Sequence, residues 1–215
     1  MIKGYQAILL AISTAMAAQT NVRPNAQIWA PPSVQLPSEW PHSTIRKPII
    51  TQITVAGFPI RLEDTELDHI AKHLNLATGH HGDASESLSW LCLHGKDKEG
   101  PWGLWLTSSE IDGPMIGGFQ LQRLSSSAAL DSRCRSLDDS SRSISLPIPI
   151  HLGMTEPQVQ AVLGKPSSRF GDASIYFHEH GLRLDGEPYT ADNSVILSYK
   201  NGELWQVVVY YTISS

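Results

Sequence analysis

Leu152-Gly153-Met154-Thr155-Glu156-Pro157-Gln158-Val159-Gln160-Ala161-Val162-Leu163-Gly164-Lys165-Pro166 is the most ordered stretch of the chain. Val159, Val162 and Leu163 recur at the spacing of one helix face. Thr155 stands where a hydroxyl can accept a first-turn amide, and Glu156 places negative charge at the positive end of the helix dipole. Gln158, three residues on, suits a capping box. Pro157 falls in the first turn, where a missing N–H costs nothing. Gly164 then stops the helix and Pro166 keeps it from resuming.

Strand-like segments follow at Ser174–Phe177, Ser194–Tyr199 and Leu204–Ile213. Asn201-Gly202 between the last two is a strong hairpin signal. The same order of elements precedes it. Leu62 leads to Thr65-Glu66, then Ile70, Ala71 and Leu74 recur at helical spacing; Asp68 stands where a capping glutamate would be. Strand-like runs follow at Leu88–Leu93, Trp102–Thr107 and Ile116–Leu124, with Asp112-Gly113-Pro114 in the place of the hairpin turn. The expected fold class is therefore α+β, with two tandem modules, 50–124 and 146–215, each a helix laid on a small antiparallel sheet.

The segment Leu152-Gly153-Met154-Thr155, with Val159, Leu163-Gly164 and Pro166 after it, resembles the opening of a SmpA/OmlA (BamE-like) domain. The likeness runs from about Ile148 to the C-terminus, and two such units in tandem would be similar to the beta-lactamase inhibitor protein fold. The resemblance implies a non-catalytic bacterial envelope module that docks on other proteins. It also implies a helix-then-antiparallel-sheet order in each module. The family's anchoring N-terminal cysteine has no counterpart here, which favours a soluble inhibitor or immunity-type binder over an outer-membrane assembly accessory.

The first 18 residues read as a secretory signal peptide. Lys3 supplies the charge, Ala7 to Ile12 the apolar run, and Ala15-Met16-Ala17 the small residues of a cleavage site. A periplasmic location, with no lipid anchor, is expected. That run is too short to span a bilayer, and no later window approaches the ~20 apolar residues a span requires. Net charge is −5, which argues against nucleic acid and anionic membrane as partners, since neither offers a positive counterpart. In an exporting context Cys92 and Cys134, the two cysteines, are expected to pair. Closing a loop of about 43 residues would contribute roughly 4 kcal/mol in the chain-entropy picture.

Two stretches break the pattern. Residues 19–49 carry Pro24, Pro31, Pro32, Pro37, Pro41 and Pro48 and read as a linker or wrapped arm. Residues 125–145 are crowded with serine, include Asp138-Asp139, and read as a second linker.

Strand alternation assigns faces. Val207, Val209 and Tyr211 would pack on a helix, as would Leu91, Leu93, Leu104 and Leu106. The opposite, open face would then show Trp90, Trp105, Tyr176, His178, Gln206 and Tyr210, with Cys92 alongside. Aromatics with polar handles dominate protein interfaces, so these six are the predicted protein-binding residues. The alternative is a metal- or small-ligand-binding protein. His178-Glu179-His180 on one strand, His69 and His73 on one helix face, and His80, His81 and Asp83 are its candidate donors. No motif fixes them together, so no metal or cofactor is assigned. Catalysis is not expected either. There is no nucleophile elbow, and Glu63, Asp64 and Glu66 sit at a helix start, where acidic residues are ordinary.

Overall fold

The computed structural model describes residues 27–37, 39–82, 87–126, 128–137 and 144–214. The stretch expected to be a signal peptide, 1–18, and Asp83 and Asp138-Asp139 lie outside them. The elements are β1 (Gln52–Val55), β2 (Phe58–Arg61), α1 (Leu67–Leu74), β3 (Thr78–His81), β4 (Leu88–Asp97), β5 (Gly100–Ser109) and β6 (Gly118–Arg123). They continue with β7 (Arg135–Ser136), β8 (Ile144–Ser145), α2 (Glu156–Leu163), β9 (Ser168–Phe170), β10 (Ala173–Leu184), β11 (Glu187–Lys200) and β12 (Glu203–Ser214).

The two-module α+β expectation does not hold. The molecule is mostly β, with two helices of eight residues each among the described residues. The meander β4-β5-β6 and the meander β10-β11-β12 meet through their last strands. β12 pairs antiparallel with β6, with Val207 opposite Leu121 and Val209 opposite Phe119. One large sheet results, in the order β3-β4-β5-β6-β12-β11-β10-β9, with β7 beside β4. Joining the meanders removes two edges whose unpaired amides and carbonyls would otherwise face water. Eight-residue helices are also too short to cover a small sheet each. A second, three-stranded sheet, β2-β1-β8, does part of that work.

The core sits between the large sheet and that cover. Leu91, Leu93, Leu104, Leu106, Phe119, Leu121, Val207 and Val209 pack with Ile53, Val55 and Ile60 of the small sheet, Leu67 and Ile70 of α1, and Val159 of α2. The α2 caps form as the sequence predicts. The Thr155 amide donates to Gln158 Oε1 at 2.8 Å, and Pro157 lies in the first turn. α1 differs: Glu66 is its N-cap, and Thr65 Oγ1 accepts from the Arg61 amide at 3.0 Å instead. Asn201 and Gly202, both at positive φ, turn β11 into β12 as the hairpin requires. Among the described residues no helix is long and apolar enough to cross a membrane.

Candidate functional site

The predicted open face carries its own cover. From Ile28 the proline-rich arm crosses the sheet to Ile50 and then enters β1. Its first anchor is at the β4-β5 side. The Ile28 amide donates to Ala129 O at 2.8 Å, and the Asp131 amide donates to Ile28 O at 3.1 Å. Trp105 Nε1 donates to Trp29 O at 3.1 Å, Trp29 meets Trp90 edge-on at 6.0 Å, and the Arg133 guanidinium lies 4.5 Å over the Trp29 ring. The Cys92–Cys134 disulfide forms and closes this end, fixing the Ser-rich span to β4. Both large rings need glycine to lie flat. A Cβ on Gly79, opposite Trp90, would sit 2.1 Å from that indole, and one on Gly103 would sit 2.6 Å from Trp105.

The second anchor is at the β10 edge. The Glu179 amide donates to Ser43 Oγ at 3.1 Å, and His178 Nδ1 is 2.5 Å from Ile45 O. Asn193 then holds the arm's end. Its Oδ1 accepts from the Ile49 and Ile50 amides at 2.8 and 3.4 Å, while Nδ2 donates to Ile50 O and Tyr210 O at 2.9 and 3.2 Å. Between the anchors, the described residues from Ala30 to His42 make no hydrogen bond to the sheet beneath. Proline removes donors, and the extended strap rests on side chains alone.

Two spaces lie under it. The smaller, about 180 Å³, is bounded by Pro31, Pro32 and Val34 above Gln120, Val208 and Tyr210. The larger, about 620 Å³, runs between Leu36, Trp40, Pro41, His42 and Ser43 on the arm and Phe177, Glu179, Asp192, Ser194, Tyr210 and Thr212 on the sheet. Trp40 stacks on Phe177 at 5.9 Å. Burial, then the charge of Glu179, raises the Asp192 carboxyl above its ordinary value, against the opposing effect of His180. Burial also raises Tyr210.

The six predicted docking residues therefore fare differently. Trp90 and Trp105 point to the predicted face but lie under the arm, 3% and 0% exposed. Gln206 is on that face too, buried in a polar row where it donates to Gln122 Oε1 at 2.9 Å and accepts from Ser198 Oγ at 3.3 Å. Tyr176 and His178 belong to the other face, a correction of the alternation at β10. Tyr176 packs in the main core and donates its hydroxyl proton to Gly164 O at 3.2 Å, and His178 lies under Ile45. Tyr210 alone of the six is only partly buried, and it borders both spaces.

The histidines do not converge. His178 and His180 stack 5.0 Å apart, His69 and His73 flank Phe58, and His80 bonds Ser89 and Gly82. Among the described residues no three His, Cys, Asp or Glu side chains are placed to hold a metal ion. Glu63, pushed up to about 8 by burial and then by hydrogen bonding and charge from Asp112, is a paired carboxyl away from the groove. No known family profile, curated protein or solved structure matches this chain.

Proposed function

We propose that this chain is an exported, periplasmic, non-catalytic protein that binds a protein partner, and that binding occurs in the groove roofed by Leu36 and Trp40–Ser43. The observation that carries the reading is the groove itself. A proline-rich strap, pinned at both ends and, among the described residues, without hydrogen bonds to the sheet between them, spans a space of about 620 Å³. Leu36 and Trp40 stand 45% and 42% exposed at its rim. Aromatic walls with a few polar groups are the chemistry of a recognition pocket. Neither serine that lines it is hydrogen bonded to an imidazole or a carboxylate, which supports binding over nucleophilic chemistry. The N-terminal charge and apolar run and the Cys92–Cys134 bridge support export.

Within this reading an inhibitor or immunity-type binder ranks ahead of an envelope-assembly accessory. A second reading, a small-ligand-binding protein, is favoured by the volume alone, which falls in the range of about 300–1,000 Å³ for small-molecule pockets. Affinity capture from envelope extract, comparing the native chain with Thr212→Trp, tests the proposal. Capture of one protein that is lost when the groove is filled supports it, and inhibition of that protein at stoichiometric amounts identifies the inhibitor role. Co-purification of outer-membrane barrels identifies the assembly role. Capture that Thr212→Trp leaves unchanged overturns the groove as the docking site.

A further inference from the structure

Two rows of the sheet make the groove floor. Glu179, Asp192 and Thr212 lie directly opposite one another on β10, β11 and β12, and Phe177, Ser194 and Tyr210 form the adjacent row. Opposed residues on neighbouring strands hold their Cβ atoms about 5 Å apart, so Glu179 and Asp192 bring two carboxylates together, a pairing that costs stability when both ionise. Asp192 Oδ1 is buried with no hydrogen-bond partner. Ser194, 5% exposed, borders the same space, and among the described residues its hydroxyl has no partner either. The lining contains no Lys or Arg. A carboxylate oxygen buried without a donor is costly, and the basic side chains that bear on this one are imidazoles: His42 lines the same space, and the charge of His180 acts on Asp192. The other row and the roof are aromatic: Phe177 under Trp40, with Tyr210 beside them.

Aromatic faces beside unpaired carboxylates complement one kind of group, a positive charge on an apolar stem. We infer that the groove takes an organic cation, an alkylammonium or guanidinium, with its charge at Glu179 and Asp192 and its stem against Trp40, Phe177 and Tyr210. This rests on the groove being the partner site and names the partner's contact, a lysine or arginine side chain. An anion would face two carboxylates. Among the described residues no three His, Cys, Asp or Glu side chains are placed to hold a metal ion, and two carboxylates with neutral hydroxyls are too few hard ligands for a cage. The chain's net charge of −5 draws cations toward it from a distance.

Isothermal titration calorimetry of the full chain at low salt tests the inference. The probes are n-butylammonium, blocked arginine amide, a blocked hexapeptide with one lysine, and n-butanol as the neutral isostere. The cations are expected to bind at least about tenfold more tightly than butanol. Asp192→Asn should weaken them by about tenfold and leave butanol unaffected. Glu179→Gln, at the exposed mouth, should act in the same direction and serves if Asp192→Asn fails to fold. Trp40→Ala should cost several-fold. A peptide that outbinds the blocked amino acid points to a protein source; equal binding points to a free amine, and both support the site. Equal binding of cation and butanol, no binding, indifference to both carboxylate variants, or displacement by Ca²⁺ overturns it. If capture remains sensitive to Thr212→Trp while no cation binds, the partner groove stands and only its charge preference falls. If neither is seen, both fall.

Discussion

At one end of the arm Trp29 meets Trp90 with ring centroids 6.0 Å apart; at the other Trp40 meets Phe177 at 5.9 Å. Both contacts set a tryptophan of the arm against an aromatic ring on the same face of one sheet. Their surroundings differ. Trp90 and Trp105 share their end with Leu124 and a disulfide, all buried, and Trp105 finds its hydrogen-bond acceptor in the arm's own backbone. The Trp40 end has two carboxylates, one with a buried oxygen that lacks a partner, and a space of about 620 Å³. Aromatic rings alone therefore do not mark a site. The sealed end also leaves Trp90 Nε1 buried without a partner, so the rings that matter are those beside an unpaired carboxylate and a space that a ligand can enter.

The comparison breaks most visibly at the sealed end. Trp105→Ala removes a fully buried indole and is expected to cost about 3–5 kcal/mol in urea unfolding. Cation binding at the other end should survive in whatever fraction stays folded. A loss below about 1 kcal/mol would show that the arm leaves this end loose. Removing the Cys92–Cys134 bridge should come next, at about 2–4 kcal/mol, measured by denaturation with and without reductant. Reduction that abolished cation binding before unfolding would mean the two ends are coupled through the strap.

Asn193 joins the ends to the core, and its replacement by alanine sharpens the contrast. Asn193→Ala orphans the Ile49 and Ile50 amides and the Ile50 carbonyl, and about 1–3 kcal/mol is expected. The loss should appear together with weaker cation binding, because the residues that follow the groove's roof lose their tie to the sheet. Hydrogen exchange at Ile49 and Ile50 reads the release directly.

Asn193 also shows where sequence reasoning stops. It is 1% exposed in the middle of β11, and nothing in its neighbours distinguishes it from an asparagine facing water. The caps of α2 were legible because they depend on residues within one turn of each other, Thr155, Gln158 and Gly164. The strands at Leu88–Leu93, Trp102–Thr107, Ile116–Leu124 and Leu204–Ile213 were legible for a similar reason, whereas Ser174–Phe177 and Ser194–Tyr199 caught only parts of β10 and β11 and missed Glu179 and Asp192. The pairing of β6 with β12 was not legible, since it joins Leu121 to Val207 across the chain through backbone groups that every residue has. Face assignment worked at Trp90, Trp105, Gln206 and Tyr210, where alternation is clean. It failed at Tyr176 and His178 because Ser174 through His178 are buried without a break. Alternation locates solvent only when one face is wet, and here an arm covers the second face. The arm's composition said extended and proline-rich. Whether such a segment wraps or dangles depends on the surface it meets, which lies outside its own sequence.

The smallest expected effect bears most directly on the groove. Asp192 is held above its ordinary value of 3.8, first by burial and then by Glu179. Folding thus favours its protonated form. That contribution is fully present below about 3.8 and is lost as pH rises through the raised folded value, where the ionised Asp192 faces Glu179 and the charge of His180 offsets only part of the cost. Asp192→Asn should therefore stabilise the cation-free protein at pH 7 by a few tenths of a kcal/mol, about 1–3 °C in melting temperature, and should change nothing at pH 3. Added n-butylammonium should reverse the order, raising the native chain's melting temperature and leaving the variant's unmoved. A carboxylate serving only as surface charge would give no such crossing, since its replacement would shift both melts by the same amount with or without the amine.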